Sequence, residues 1–156
     1  MVNKENLIEV ETKLRTIYRN GRYEFFEDGM ESEFSTALTN SLKTNGLEVL
    51  EILKTYLNDN SISLEIFSEG LIWVGHFAQD ESPDLKDKCR LFIEYCLLNT
   101  LSQRVKDSAG VALAIIDDPK SIPTLELVIN REFEPKYGPS VKKDLQQVLD
   151  QLLETQ

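Results

Sequence analysis

RVKDSAGVALAIIDDPKSIPTL, residues Arg104–Leu125, is an apolar helix with small residues, an Asp-Asp-Pro break and a second helix opening on Ser-Ile-Pro. Val105, Ala109, Ala112, Leu113 and Ile116 recur at the i, i+4, i+7, i+8, i+11 spacing of a buried helical stripe. Alanine or glycine at Ala109, Gly110, Ala112 and Ala114 lets a neighbouring helix come close. Asp118-Pro119 ends the helix, because the residue before a proline is pushed out of the α region. Ser121 is placed to cap the next helix, and Pro123 falls in its first turn, where a missing N–H costs little. Ile122, Leu125, Val128 and Ile129 form that helix's apolar face. Every local choice agrees with a tight helix-turn-helix.

Working outward, Lys4–Asn20 reads as an amphipathic helix with Leu7, Val10, Leu14, Ile17 and Tyr18 on one face, stopped at Gly21. Glu31–Leu42 is helical through Phe34, Leu38 and Leu42; Lys43-Thr44-Asn45-Gly46 breaks it, and Leu47–Leu57 completes a first pair. Asn58-Asp59-Asn60 ends that pair, and Ser61 or Ser63 caps the next helix. That helix runs to about Phe77 and is apolar on most sides (Leu64, Ile66, Phe67, Leu71, Ile72, Trp73, Val74), which predicts deep burial. Ser82-Pro83-Asp84 is a cap, a proline at the first helical position and an acid against the helix dipole. It opens a helix lined by Leu85, Cys89, Phe92, Ile93, Cys96 and Leu97. Leu64 and Val105 stand 41 residues apart, inside the roughly 40–47 expected of two-helix repeats, so the second pair reads as a diverged copy of the third. Asn130–Pro139 is a polar linker, and Ser140 opens a last helix with a narrow stripe of Val141, Leu145, Val148, Leu149 and Leu152. The stripe suits a terminal capping helix; at two heptads it is short for a dimer seam.

The run Val105–Leu125 resembles a HEAT repeat, in the short form of phycobilisome-lyase-type HEAT proteins. The residues that carry the likeness are Val105, Lys106, Ala109, Gly110, Ala112, Leu113, Asp118, Pro119, Ile122, Pro123 and Leu125. Lys106 stands where arginine is usual and Asp117 where glycine is usual. The match covers about one repeat and speaks to fold far more than to function. Read this way, the chain is all-α: a right-handed α-α superhelix, or HEAT/ARM-like solenoid, forming a single domain over residues 1–156. Residues 1–29 form an N-terminal helix and an acidic-aromatic connection, 30–60, 61–101 and 102–132 three helical pairs, and 140–156 the capping helix.

Of 156 residues, 41% are hydrophobic and 28% charged, as in globular chains, and the length suffices to bury roughly 70% of the unfolded surface. Apolar runs such as LIWVGHFA are too short to span a bilayer, and the polar N-terminus MVNKENLIEVE is unlike a signal peptide, which points to the cytoplasm. A net charge of −10 repels phosphate backbones and argues against nucleic acid. Solubility is the first reading of that charge and a basic protein partner the second.

Chemistry is sparse. His76 is the only histidine, so no His-pair metal site exists, and a Cys–His nucleophile with Cys89 or Cys96 would lack a third orienting group. The expected role of His76 is packing or capping, that of Trp73 core, and that of the cysteines reduced core; two turns of helix set the thiols roughly 10 Å apart. No Gly-rich phosphate loop, CxxC pair or nucleophile elbow occurs. Glu24, Glu27, Asp28, Glu31 and Glu33 cluster without the alternation and glycine of a calcium loop, and read as a solvated face.

No cofactor is expected, and no catalysis. The fold analogy implies a partner protein bound on the concave face formed by the second helices, 47–57, 83–100 and 121–130. Their outward polar residues are Glu48, Glu51, Lys54, Lys88, Glu94, Glu126 and Asn130. Two alternatives accompany this interaction-module reading. The resemblance also implies attachment or removal of a bilin chromophore on a phycobiliprotein, and the charge alone fits an acidic immunity or antitoxin protein.

Overall fold

The computed structural model describes residues 4–20, 33–138 and 140–155. Gly21 and the carboxylates of Glu24, Glu27, Asp28 and Glu31 therefore lie outside the described residues. Within them the chain is all-helical: α1 (Lys4–Asn20), α2 (Glu33–Tyr56), α3 (Leu64–Gln79), α4 (Pro83–Asn99), α5 (Gln103–Ile116), α6 (Ile122–Arg131) and α7 (Val141–Thr155). A short 3₁₀ turn, Pro119–Ser121, precedes α6. None of these helices is long and apolar enough to cross a membrane.

The helices form two rows. α3 packs on α5 and α5 on α7; beside them α2 packs on α4 and α4 on α6, and α1 lies against α2. One core cluster runs through all of them, from Leu14 to Leu152. Small residues set the spacing. A methyl group on Gly75 of α3 would stand 3.1 Å from the Ala112 backbone of α5, and one on Gly110 would stand 2.8 Å from a Leu145 methyl of α7. The small-residue run of α5 thus lets both flanking helices approach.

Local signals act largely as the residues predict. Ser63 caps α3 by accepting from the Glu65 N–H at 3.2 Å, and Ser140 caps α7 by accepting from the Lys143 N–H at 3.1 Å. At the end of the first pair, Asp59 accepts from the Ser61 N–H at 2.9 Å and meets Arg15 of α1 at 3.0 Å. Asp117 adopts the left-handed conformation (φ 56°, ψ 45°) as the C-cap of α5. Aspartate tolerates that region better than most residues. Its carboxylate is then held by Gln151 and Thr155 of α7, each at 3.0 Å.

The structure refines one expectation and corrects another. The break expected over Lys43–Gly46 narrows to one residue: the two helical halves of α2 meet in a kink at the buried Asn45 (φ −141°, ψ 47°), and the residues on either side stay helical. Ser121 makes no side-chain cap to α6; its hydroxyl turns to Glu94, and Asp118 caps the preceding turn by accepting from the Lys120 N–H at 3.0 Å. The α7 stripe of Val141, Leu145, Leu149 and Leu152 is buried within the chain against α5 and α6, as the capping-helix reading expects, and not available as a dimer seam.

Candidate protein-interaction face

The outward sides of the second half of α2, of α4 and of α6 carry the residues expected to meet a partner. Leu47, Leu50, Glu51 and Lys54 from α2, with Lys88, Leu91 and Phe92 from α4, line a groove of about 390 Å³. Lys54 pairs with Glu51 at 3.1 Å and lies 5.2 Å from the centre of the Tyr95 ring, so it bridges the two helices. A second groove of about 390 Å³ continues from Leu47 and Glu51 toward α1, lined by Leu7 and Glu11 from α1 and by Glu48, Ile52 and Thr55 from α2. The fold thus gathers Glu48, Glu51, Lys54 and Lys88 around two joined depressions. Glu126 and Asn130 are exposed on α6, the next helix of the row, and line neither groove.

Glu94 is the exception. Expected on the surface, it is 7% exposed and wedged between α4 and α6. It forms an ion pair with Arg90, and accepts hydrogen bonds from the Ser121 hydroxyl at 3.1 Å and from the Thr124 hydroxyl. Arg90, also buried, lies 3.6 Å from Asp87 and 3.8 Å from Asp118. A charged side chain is tolerated there because each partner neutralises the other. It holds the turn before α6 against α4, which removes it from the outward face.

What the charged-residue pattern overlooks is apolar. Leu47, Leu91, Tyr95, Leu98 and Leu127 are 37–48% exposed. On α4, Leu91, Tyr95 and Leu98 fall at i, i+4, i+7, a second stripe beside the buried one of Cys89, Phe92, Ile93, Cys96 and Leu97. That spacing is legible in sequence, although spacing alone does not distinguish an outer stripe from core.

Nucleophile chemistry finds no footing at the cysteines. Both thiols are free and buried, and burial pushes that of Cys89 up to about 12 and that of Cys96 higher still, so neither is a thiolate near neutrality. His76 is exposed and stacks on the half-buried Trp73 with 5.6 Å between ring centres. Among the described residues no three His, Cys, Asp or Glu side chains are grouped to hold a metal ion.

A carboxyl pair on the opposite row was not singled out by sequence. Asp107 of α5 and Asp144 of α7 border a groove of about 600 Å³ floored by Gly110, Ala114 and Leu145. Burial first, then the neighbouring Asp144 carboxyl, raises the Asp107 carboxyl from 3.8 to about 6. A raised carboxyl pKa means the folded state holds more protons than the unfolded chain between those values, so this site loses stability as pH rises through that window. Screening at a partly exposed position limits the effect to on the order of 1 kcal/mol. Asp107→Asn should melt with the parent at pH 4 and above it at pH 7; parallel melting curves at both pH values would contradict the raised value.

No protein-family model matches the chain, and no curated protein and no solved structure matches it.

Proposed function

We propose that this chain is a protein-interaction module, a short HEAT-like solenoid that binds a partner protein through the outward face of α2, α4 and α6 and has no catalysis of its own. The observation that carries the reading is the exposed apolar stripe of Leu91, Tyr95 and Leu98, flanked by Leu47 and Leu127 and bordered by charged side chains. A clustered apolar centre with a polar rim is the anatomy of an interaction site, whereas single exposed leucines are ordinary. The row of second helices supplies such a surface in solenoids generally. The buried thiols argue in the same direction by leaving no activated nucleophile at either cysteine.

Affinity capture from lysate of the source organism, at low and moderate salt, should recover a stoichiometric partner. Glu48→Lys, Glu51→Lys and Glu126→Lys combined should abolish that capture while leaving the thermal transition in place. Undiminished capture by the folded triple variant would defeat the assignment of the face. Glu94→Gln serves as control, since the buried Glu94 does not reach the partner. A new visible absorbance on incubation with a bilin and an apo-phycobiliprotein would redirect attention to the chromophore chemistry that the resemblance implies.

A further inference from the structure

We propose that the groove between α1 and the second half of α2 receives a short cationic amphipathic helix of the partner protein. The inference rests on the interaction-face reading and specifies what docks at one end of it.

Three features of the groove select that occupant. Its floor is apolar, formed by Leu7, Leu47 and Ile52. Among the described residues its charged lining consists of Glu11, Glu48 and Glu51, with no lysine, arginine or histidine. From Leu47 to Thr55 the α2 wall is roughly 12 Å long, which matches two turns of a docked helix and its anchors at i, i+3 or i+4, and i+7.

The neighbouring cations leave the rim acidic. Arg15 lies 3.6 Å from Glu11, but its closer partner is Asp59 at 3.0 Å and it also covers the Tyr56 ring at 5.1 Å. Lys54 pairs with Glu51 at 3.1 Å and also lies over the Tyr95 ring, so it is shared between the two. Glu48 has no ion-pair partner among the described residues, and the Glu51 side chain is 72% exposed. Lysine or arginine flanking the anchors of an incoming helix therefore finds carboxylates along the α2 rim. An acidic helix, a nucleic acid or an anionic lipid surface would be repelled by the same rim. Because Leu47 and Glu51 also line the α2/α4 groove, a helix seated here is continuous with the wider face.

The test uses a synthetic amphipathic peptide of roughly 15 residues, long enough to become helical when bound, with leucine at i, i+4 and i+7 and lysine on its other faces. A second peptide carries glutamate in place of lysine. Binding is read by fluorescence anisotropy against the full chain at low salt. The lysine peptide should bind saturably and the glutamate peptide should not. Glu48→Lys with Glu51→Lys should weaken binding by at least about tenfold, as expected where rim charges steer and hold a charged partner. Asp150→Lys with Glu154→Lys, on α7, makes the same change in net charge and should alter binding by less than about twofold. Equal weakening by both double variants would mean diffuse attraction to an acidic protein and would overturn the proposal. Absence of saturable binding, or equal binding of the two peptides, would overturn it too. Leu91→Asp with Tyr95→Ala separates it from the broader reading. If those changes abolish capture of the lysate partner while the lysine peptide does not bind, the face stands and this occupant falls.

Discussion

Replacing Glu94 by alanine is expected to destabilise the chain by about 3 kcal/mol or more, although its carboxylate never reaches the binding face. Removing one partner of a buried ion pair leaves the other charge uncompensated, and that penalty exceeds what the pair itself contributes. Here the stranded group is Arg90, whose side chain is 9% exposed and whose Nε is left with carboxylates at 3.6 and 3.8 Å, beyond hydrogen-bond range. The Ser121 and Thr124 hydroxyls would lose their acceptor as well. Glu94→Gln keeps the shape and an acceptor oxygen, so its cost should be smaller. Arg90→Met combined with Glu94→Leu should recover much of the loss, because apolar side chains of similar size remove both charges together. Urea unfolding with an unchanged m-value gives these differences directly. A Glu94→Ala cost below about 1 kcal/mol, the size of an exposed pair, would show that water reaches the network.

The same residue marks where sequence reading reaches its limit. Arg90 and Glu94 sit at i and i+4, the spacing of a solvent-facing helix pair, and nothing within α4 distinguishes a surface pair from a buried one. What buries Glu94 is the approach of Ser121 and Thr124, 27 and 30 residues further along, and no local pattern reports that. By contrast, the α5–α6 turn was legible because proline, aspartate and small residues restrict the backbone or the helix spacing wherever they occur. Asp117 is instructive: it ends α5 in the left-handed conformation that glycine adopts more readily. The break between the two halves of α2 was legible in place but not in extent: it is confined to Asn45, because Lys43, Thr44 and Gly46 weaken a helix without forbidding it. Of the side chains that periodicity placed on the outward side of these helices, Glu94 is the one that the fold buries. The apolar centre at Leu91, Tyr95 and Leu98 needed the fold to show which of two stripes on α4 the core had taken.

Tyr18→Ala is expected to cost about 3–5 kcal/mol, the usual loss on truncating a large buried aromatic. Tyr18 is 1% exposed and lies against four residues of α2 and α3. Its ring meets Phe34 edge-on at 5.1 Å, Tyr56 at 5.3 Å and Phe67 at 6.3 Å, joining α1 to both halves of α2 and to α3. The ring is seated on Gly70, where a methyl group would stand 2.5 Å from the Tyr18 hydroxyl oxygen. Gly70→Ala should therefore destabilise by about 1–3 kcal/mol through overpacking. In the Tyr18→Phe background most of that penalty should vanish, since the next ring atom lies 3.2 Å from the added methyl. The double-mutant cycle isolates this contact from every other effect of the two substitutions, and additive costs would show that Tyr18 and Gly70 do not touch. Function follows from the same packing. α1 contributes Leu7 and Glu11 to the acidic groove, and Tyr18 is the ring that fastens α1 to the helices behind it. Tyr18→Ala should thus loosen α1 below the global transition, visible as faster amide exchange in residues 7–18, and weaken binding of the lysine peptide under conditions where α4–α7 remain protected. Peptide affinity unchanged despite freely exchanging α1 amides would mean that the groove does not need its α1 wall.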